Sequence, residues 1–255
     1  AFFGLYGYQE IRTPILEEMG LFTRSIGETT NVVEKEMYVF QDRKEKWVAL
    51  RPEGTASVVR AYLESNGPQQ EPVARYFYMG PMYRYERPQK GRYRQFHQIG
   101  VEVFGIQSPH LDAEVIHMLD CFLRDKMGLV DTRLEINSLG CPICRPKFQA
   151  AFLNFLIKNE SGLCADCRRR MEKNPLRALD CKEATCQAVT AEAPSIQDFL
   201  CETCENDFDR VLSSLGQLGS LYQINPRIVR GLDYYLKTTF EFTSTQLGSQ
   251  NALAG

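Results

Sequence analysis

RYFYMGPMYRYE at 75–86 and RQFHQIGVEVFG at 94–105 are two extended runs joined by Arg87-Pro88-Gln89-Lys90-Gly91-Arg92-Tyr93. Aromatic and β-branched residues in paired runs, joined by a connection that carries Pro88 and Gly91, predict a long antiparallel hairpin. Side chains alternate across a strand, so His97, Ile99, Val101 and Val103 fall on one face and Gln98, Gly100, Glu102 and Phe104 on the other. The first set reads as core, with His97 a satisfied core histidine, and the second as a polar floor. Four residues along a strand span about 13 Å, so Gln98 and Glu102 can lean together over a small zwitterion or heterocycle lying on the sheet. Alternation by itself favours a plain solvent-facing strand with routine polar residues, so a pocket there requires further signals.

On the N-terminal side, YQEIRTPIL at 8–16 carries β-prone residues and a proline suited to an edge strand or bend, and WVALR at 47–51 reads as a short strand. Pro52-Glu53-Gly54-Thr55 is a turn; Thr55 caps a helix to Leu63 whose apolar positions Val58, Val59, Tyr62 and Leu63 recur at helical spacing. Glu53 therefore sits where a strand ends and a helix begins. On the C-terminal side, Ser108-Pro109 starts a helix with Leu111, Val115, Met118, Leu119 and Phe122 as its buried stripe, ended by Gly128. Arg133–Ile136 reads as a strand, 141–204 as mainly helical, and Leu221–Ile224 and Tyr234–Phe242 as strands again. This divides the chain into a core over 1–139, an insertion over 140–220 and the core resumed over 221–255.

The 255 residues exceed the ~150-residue expectation for one domain, consistent with a large domain carrying an insertion. Thirty basic against 32 acidic residues exclude a global basic field, so any nucleic-acid contact is local. Hydrophobic residues at 44% supply a core and exclude disorder, while no apolar run approaches the ~18 residues of a membrane helix. AFFGLYGYQEIRTP has neither a basic leader with a long apolar run nor a cleavage site, which points to the cytoplasm.

Arg84, Arg87, Lys90, Arg92 and Arg94 place five cations within eleven residues around the hairpin connection, with Tyr85 and Tyr93 interleaved. Guanidinium forks suit phosphate oxygens and aromatic faces suit bases, so a polyphosphate or an RNA end fits; a merely solvated tip accounts for the composition equally well. Arg230-Gly231-Leu232-Asp233-Tyr234-Tyr235 puts an arginine at the mouth of a strand. Eight of nine cysteines fall between Cys141 and Cys204. Cys141-x2-Cys144 followed by Cys164-x2-Cys167 has four-cysteine zinc spacing, and Cys181-x4-Cys186 with Cys201-x2-Cys204 forms a second set; the pairs can also interleave. Four thiolates leave no open coordination position, so such sites are structural. Cys121 reads as a small core residue, and His110 and His117 lie on or near one helix.

PEGT at 52–55, the hairpin FYMGPMYRYERPQKGRYRQFHQIGVEVFG at 77–105 and RGLDYY at 230–235 together resemble the histidyl-tRNA synthetase family, whose members are class II aminoacyl-tRNA synthetases. The hairpin resembles that family's motif 2, RGLDYY its histidine-specific signature, and residues 5–18 its motif 1, with Pro14 as the motif's proline. The resemblance implies an α+β fold, an antiparallel sheet flanked by helices, with the cysteine-rich helical insertion leaning on a tRNA acceptor stem. It implies ATP-dependent activation of L-histidine with magnesium, transfer to tRNA(His), and a homodimer. By resemblance the histidine amino group goes to Glu53, Thr55 and Gln98, with Gly54 in the same turn, and the imidazole to Glu102 and Tyr235 with Tyr234 beside it. Arg84 and Arg230 hold the α-phosphate, Arg92 reaches the terminal phosphates, Glu86 is a further ATP or metal contact, and Gln89, Lys90 and Arg92 meet the tRNA acceptor end. The zinc is not implied by the family.

The Gly-Gly-Arg-Tyr-Asp segment, motif 3 and the anticodon-binding domain of the family are not among these residues, which makes the sequence a fragment of a longer protein in this reading. A non-catalytic relative, the synthetase-like regulatory subunit of ATP phosphoribosyltransferase, is the alternative; retention of Arg84, Arg92 and Arg230 argues against it. A free zinc-binding RNA module is excluded because the cysteines lie in an insertion between strands.

Overall fold

The computed structural model describes residues 1–255 except 28, 29, 31, 87–91, 173, 231–233 and 246–251. Two units form, one from Ala1–Gln107 with Tyr234, the other from Ser108–Arg230 with the described residues after Tyr234. The first contains β1 (Gln9–Glu10), β2 (Leu16–Glu18), α1 (Met19–Ile26), β3 (Tyr38–Gln41), β4 (Trp47–Leu50), α2 (Thr55–Glu64), α3 (Gly67–Gln70), β5 (Ala74–Tyr83) and β6 (Gln95–Phe104). The second contains α4 (Pro109–Cys121), β7 (Thr132–Ser138), α5 (Cys144–Lys158), α6 (Ala165–Arg170), α7 (Ala184–Ala191) and α8 (Glu202–Gln217). It ends with β8 (Tyr222–Ile224), β9 (Thr238–Ser244) and β10 (Ala252–Ala254).

In the first unit the expected hairpin forms: β5 and β6 pair antiparallel from Ala74 opposite Phe104 to Tyr83 opposite Gln95. Residues directly opposite each other share a face, so Tyr76, Tyr78 and Gly80 lie beside Glu102, Gly100 and Gln98. This face is the buried one: Val58 of α2 packs with Tyr78 and Met82, and Tyr62 stacks on Phe104 at 4.2 Å. The expectation that His97 and its neighbours face the core is corrected, because His97 is exposed and Ile99 is 44% exposed. Reading one strand alone caused the error. The aromatic rings that decide which face is buried come from β5. A second sheet, in the order β2-β4-β3, is antiparallel throughout, and β1 joins β5 in parallel. The buried Glu17 on β2 receives Arg60 of α2 at 2.8 Å.

In the second unit the sheet order is β10-β9-β7-β8, with β7 and β9 antiparallel from Thr132 opposite Ser244 to Ser138 opposite Thr238. α4 starts as expected, with Ser108 Oγ accepting from the His110 N–H and Pro109 at the first position. Its stripe is partly as expected, with Met118 buried and Leu119 against the core, but Ala113 and Ile116 enter the core while Leu111 and Val115 are half-buried. The partner decides, since α8 brings Phe208, Val211 and Leu215 against the face where small Ala113 permits close approach. A separate core of Phe148, Phe152, Leu156, Leu176 and Ile196 belongs wholly to the cysteine-rich segment. Among the described residues no helix is long and apolar enough to cross a membrane.

Candidate functional site

The turn between β4 and α2 is held from both sides. Arg51, 7% exposed, donates through Nε to Pro81 O at 3.0 Å and through Nη1 to Thr13 O at 2.8 Å and Thr13 Oγ1 at 3.0 Å. It thereby locks the turn, the stretch around Pro14 and the hairpin together; a Cβ on Gly80 would lie 2.6 Å from its Nη2. Two residues on, buried Glu53 accepts the Thr55 N–H at 2.7 Å and the Ala56 N–H at 2.9 Å. A carboxylate on the orphan amides of a helix start is favourable on hydrogen-bonding and dipole grounds. Glu53, not Thr55, thus does the capping that the turn sequence suggested for Thr55. Burial pushes the Glu53 carboxyl up from its ordinary value, opposed by the two amides and by Arg84.

Freed from capping, the Thr55 hydroxyl donates to Glu102 Oε1 at 2.7 Å. This bond joins the turn to the hairpin floor. Burial raises the Glu102 carboxyl to about 7, with the Thr55 bond opposing and the charge of Glu53 adding to the rise. Beside it, Gln98 Oε1 is buried and has no hydrogen-bond donor among the described residues. The ring of Tyr78 lies between Gly54 and Gly100, and a Cβ on either glycine would overlap it. Glycine is therefore required at both positions for the turn to approach the floor. Arg84 Nε donates to Pro52 O at 2.8 Å and its guanidinium lies 5.4 Å from the centre of the Phe96 ring. Arg92 and Glu86 form an ion pair at 2.9 Å. Glu53, Gly54, Thr55, Gln98, Glu102, Arg84, Glu86 and Arg92 thus all belong to one unit, with Gln98 and Glu102 on the floor and Glu53 in the adjoining turn. Gln89 and Lys90 lie outside the described residues.

In the second unit, the Arg230 guanidinium lies 5.0 Å from the centre of the Tyr235 ring and 3.9 Å from Glu241, whose carboxyl burial pushes up. Tyr235 O accepts from Arg145 Nη1 at 3.2 Å. Tyr234 is half-buried in the first unit; Gly231, Leu232 and Asp233 lie outside the described residues. Arg51, Tyr78 and Arg145 were not singled out from sequence. Arg51 adjoins the PEGT turn and was within reach, whereas only three-dimensional placement marks the other two.

The cysteines form two sets of four, Cys141/Cys144/Cys201/Cys204 and Cys164/Cys167/Cys181/Cys186, each with its sulfurs within 4.8 Å of one another. The consecutive pairing expected from spacing is therefore corrected to a nested one. α5 starts at the first pair and α8 at the last, and the chain between them doubles back so that the outermost pairs meet. Backbone N–H groups of Cys144 and Ile143 hold the Cys141 thiol down at about 6. Cys121 touches His117 Nε2 at 3.5 Å.

A mainly antiparallel α+β fold with a motif-2-like hairpin floor and an arginine beside it defines a class II aminoacyl-tRNA synthetase core. A profile described as histidyl-tRNA synthetase matches residues 1–142. The chain is 57% identical over 252 residues to the histidine–tRNA ligase of Geobacter metallireducens, covering 99% of this chain and 61% of that protein. Apo histidyl-tRNA synthetase of S. aureus superposes with a TM-score of 0.71 at 36% identity, over 95% of this chain and 54% of that one. A structure titled ATP phosphoribosyltransferase regulatory subunit/histidyl-tRNA synthetase from Bacillus halodurans C gives a TM-score of 0.67 at 20% identity, over 98% and 67%, a likeness of fold alone. The chain belongs to the histidyl-tRNA synthetase family. It spans about three-fifths of the length of the curated relatives it matches.

Proposed function

We propose that this chain is the histidine-activating core of a histidine–tRNA ligase. It binds L-histidine and ATP, forms histidyl-adenylate and pyrophosphate, and passes the histidyl group to the terminal ribose of tRNA(His). The histidine carboxylate attacks the α-phosphorus in line, and pyrophosphate leaves with the electrons of the broken P–O bond. No protein nucleophile is required, so catalysis rests on positioning and charge neutralisation. Arg84 and Arg230 neutralise the α-phosphate; Arg92, released from Glu86, meets the terminal phosphates; magnesium, when bound, shields the polyphosphate, with Glu86 as its protein neighbour. Glu53, Thr55 and Gln98 receive the α-ammonium. Glu102 is assigned one imidazole nitrogen and Tyr235 the other, with Tyr234 alongside, so a side chain lacking two ring nitrogens leaves buried polar groups unpaired. Gln89, Lys90 and Arg92 meet the acceptor end of the tRNA. The protein acts as a cytoplasmic homodimer, residues 140–220 form the insertion, and its thiolates hold structural zinc.

The observation that carries this function is the buried Oε1 of Gln98, without a donor among the described residues, on the same sheet face as Glu102, with Glu53 in the adjoining turn. Buried acceptors without donors cost free energy unless a donor-rich ligand arrives, and an ammonium with an imidazole N–H is such a ligand. Exchange of labelled pyrophosphate into ATP across the common amino acids tests it, with calorimetric histidine binding alongside. Exchange supported by histidine alone is expected. Exchange with a different amino acid overturns the assignment of Glu102 and Tyr235; histidine binding without exchange leaves either a sensing subunit or a core that needs the rest of its relatives' length, and exchange by the chain extended to that length decides between them.

A further inference from the structure

We infer that the eight cysteines hold two zinc ions with different duties: an outer site (Cys141, Cys144, Cys201, Cys204) that clamps the chain at 235–237, and an inner site (Cys164, Cys167, Cys181, Cys186) that folds the segment between. The sulfur geometry fits one ion per set. Tetrahedral zinc with Zn–S bonds of about 2.3 Å separates its sulfurs by about 3.8 Å. Cys141 and Cys144 are 3.5 Å apart, Cys141 and Cys201 4.0 Å, and Cys164 and Cys181 3.9 Å. A disulfide brings sulfurs to about 2.05 Å, and all these cysteines are free. A multi-iron cluster spreads its sulfurs farther than the 4.8 Å span of each set.

Backbone donors complete both sites. Cys201 N–H points at Cys144 Sγ at 3.1 Å and Ile143 N–H at Cys141 Sγ at 3.4 Å. In the inner set Cys164 N–H points at Cys186 Sγ at 3.1 Å and Cys167 N–H at Cys164 Sγ at 3.4 Å. Such donors stabilise thiolate over thiol and orient it for a metal.

The division of duties follows from what adjoins each set. On the Cys141/Cys144 side, Leu139 N–H donates to Lys237 O at 2.7 Å, Lys237 N–H to Gly140 O at 2.9 Å, and Arg145 Nη1 to Tyr235 O at 3.2 Å. On the Cys201/Cys204 side, Asp207 accepts from Lys237 Nζ at 2.7 Å. The two halves of the outer set are therefore two jaws on one short segment, and the ion joins the jaws. The segment needs holding, since Lys237 has φ 55°, a left-handed conformation costly for a side-chain-bearing residue. Gly140, at φ 66°, admits the outer knuckle; a Cβ there would lie 2.9 Å from Cys144 Cβ. The inner set has another neighbourhood: buried Cys167 and Cys186 belong to the core with Phe152 and Leu156. Its helix α7 meets Arg227, through Gln187 O at 2.8 Å, rather than 235–237.

This inference rests on the zinc reading above but not on histidine chemistry, and every readout below is taken without substrate. Metal analysis of the chain purified without added metal tests the ions: two zinc per chain are expected, and no metal, or iron in their place, overturns both the zinc and its division. Hydrogen exchange then tests the division alone. Cys164→Ser with Cys167→Ser leaves one zinc and unchanged exchange at 235–244. Cys141→Ser with Cys144→Ser leaves one zinc and speeds the Leu139 and Lys237 amides by about tenfold or more. Equal effects from the two variants overturn the clamp. If the outer variant fails to fold, Arg145→Ala with Asp207→Asn serves instead: both zinc ions retained with faster exchange confined to 235–244 supports the clamp, and unchanged exchange overturns it.

Discussion

The hairpin floor and the cysteine-rich segment reach fixed geometry by opposite means. The floor has ten paired residues per strand, a helix packed on its buried face and polar groups that bond one another, as Thr55 does Glu102. Beyond α5 the cysteine-rich segment has short helices, α6 of six residues and α7 of eight, and it has a core of its own drawn from residues 148–196. Short segments bury little apolar surface to offset ordering entropy, and under the two-zinc proposal thiolate–metal bonds would supply what packing does not. Strand pairing and helix packing thus build the floor, and the two sets of four cysteines lie in the part that has little sheet.

The largest effect that separates the two regions is metal removal. Structural zinc contributes on the order of 10 kcal/mol per site in small zinc peptides, comparable with the total stability of a domain. A strong chelator is therefore expected to abolish amide protection across 141–204 while β5 and β6 keep theirs; equal loss in both regions breaks the comparison. Next in size, Gly100→Ala places a Cβ in the Tyr78 ring, which Gly54 prevents from retreating. A loss of about 3 kcal/mol in urea unfolding is expected, with zinc content unchanged.

A smaller effect is the pH dependence of Glu102. Its folded carboxyl sits near 7 against an ordinary 4.5, so the folded state binds the extra proton between those values. The stability this supplies is complete below about pH 4.5 and is lost as pH rises through about 7. Glu102→Gln should remove that slope. Between pH 5 and pH 8 the wild-type chain should lose about 2 kcal/mol more than the variant, a figure reduced for partial solvent access. Identical slopes would mean that the floor does not hold the proton. The smallest effect belongs to the second unit: Ser108→Ala removes the cap on His110 N–H and should cost about 1 kcal/mol, read as a lower urea midpoint.

Most of the candidate site was legible because its residues cluster in local blocks. PEGT, the hairpin and the Ser108-Pro109 helix start each carry their signal within a few residues, and local signals survive without a fold. What failed to read were choices made by a distant partner. The exposed side of His97 was decided by rings on β5, the rotation of α4 by α8, and the capping of α2 by Glu53 in place of Thr55.

By itself the sequence determined the hairpin, the turn that starts α2, the family, and that eight cysteines can gather in two sets of four. Only the tertiary structure decided which cysteines meet, which face of the floor is buried, and that Arg51 and Arg145 hold the turn and the 235 segment. The physical reason is common to all three. Strand alternation, caps and cysteine spacing are properties of neighbouring residues, whereas pairing across 57 positions, as between Cys144 and Cys201, depends on helices returning to their starting point. Spacing along a chain carries no record of that return.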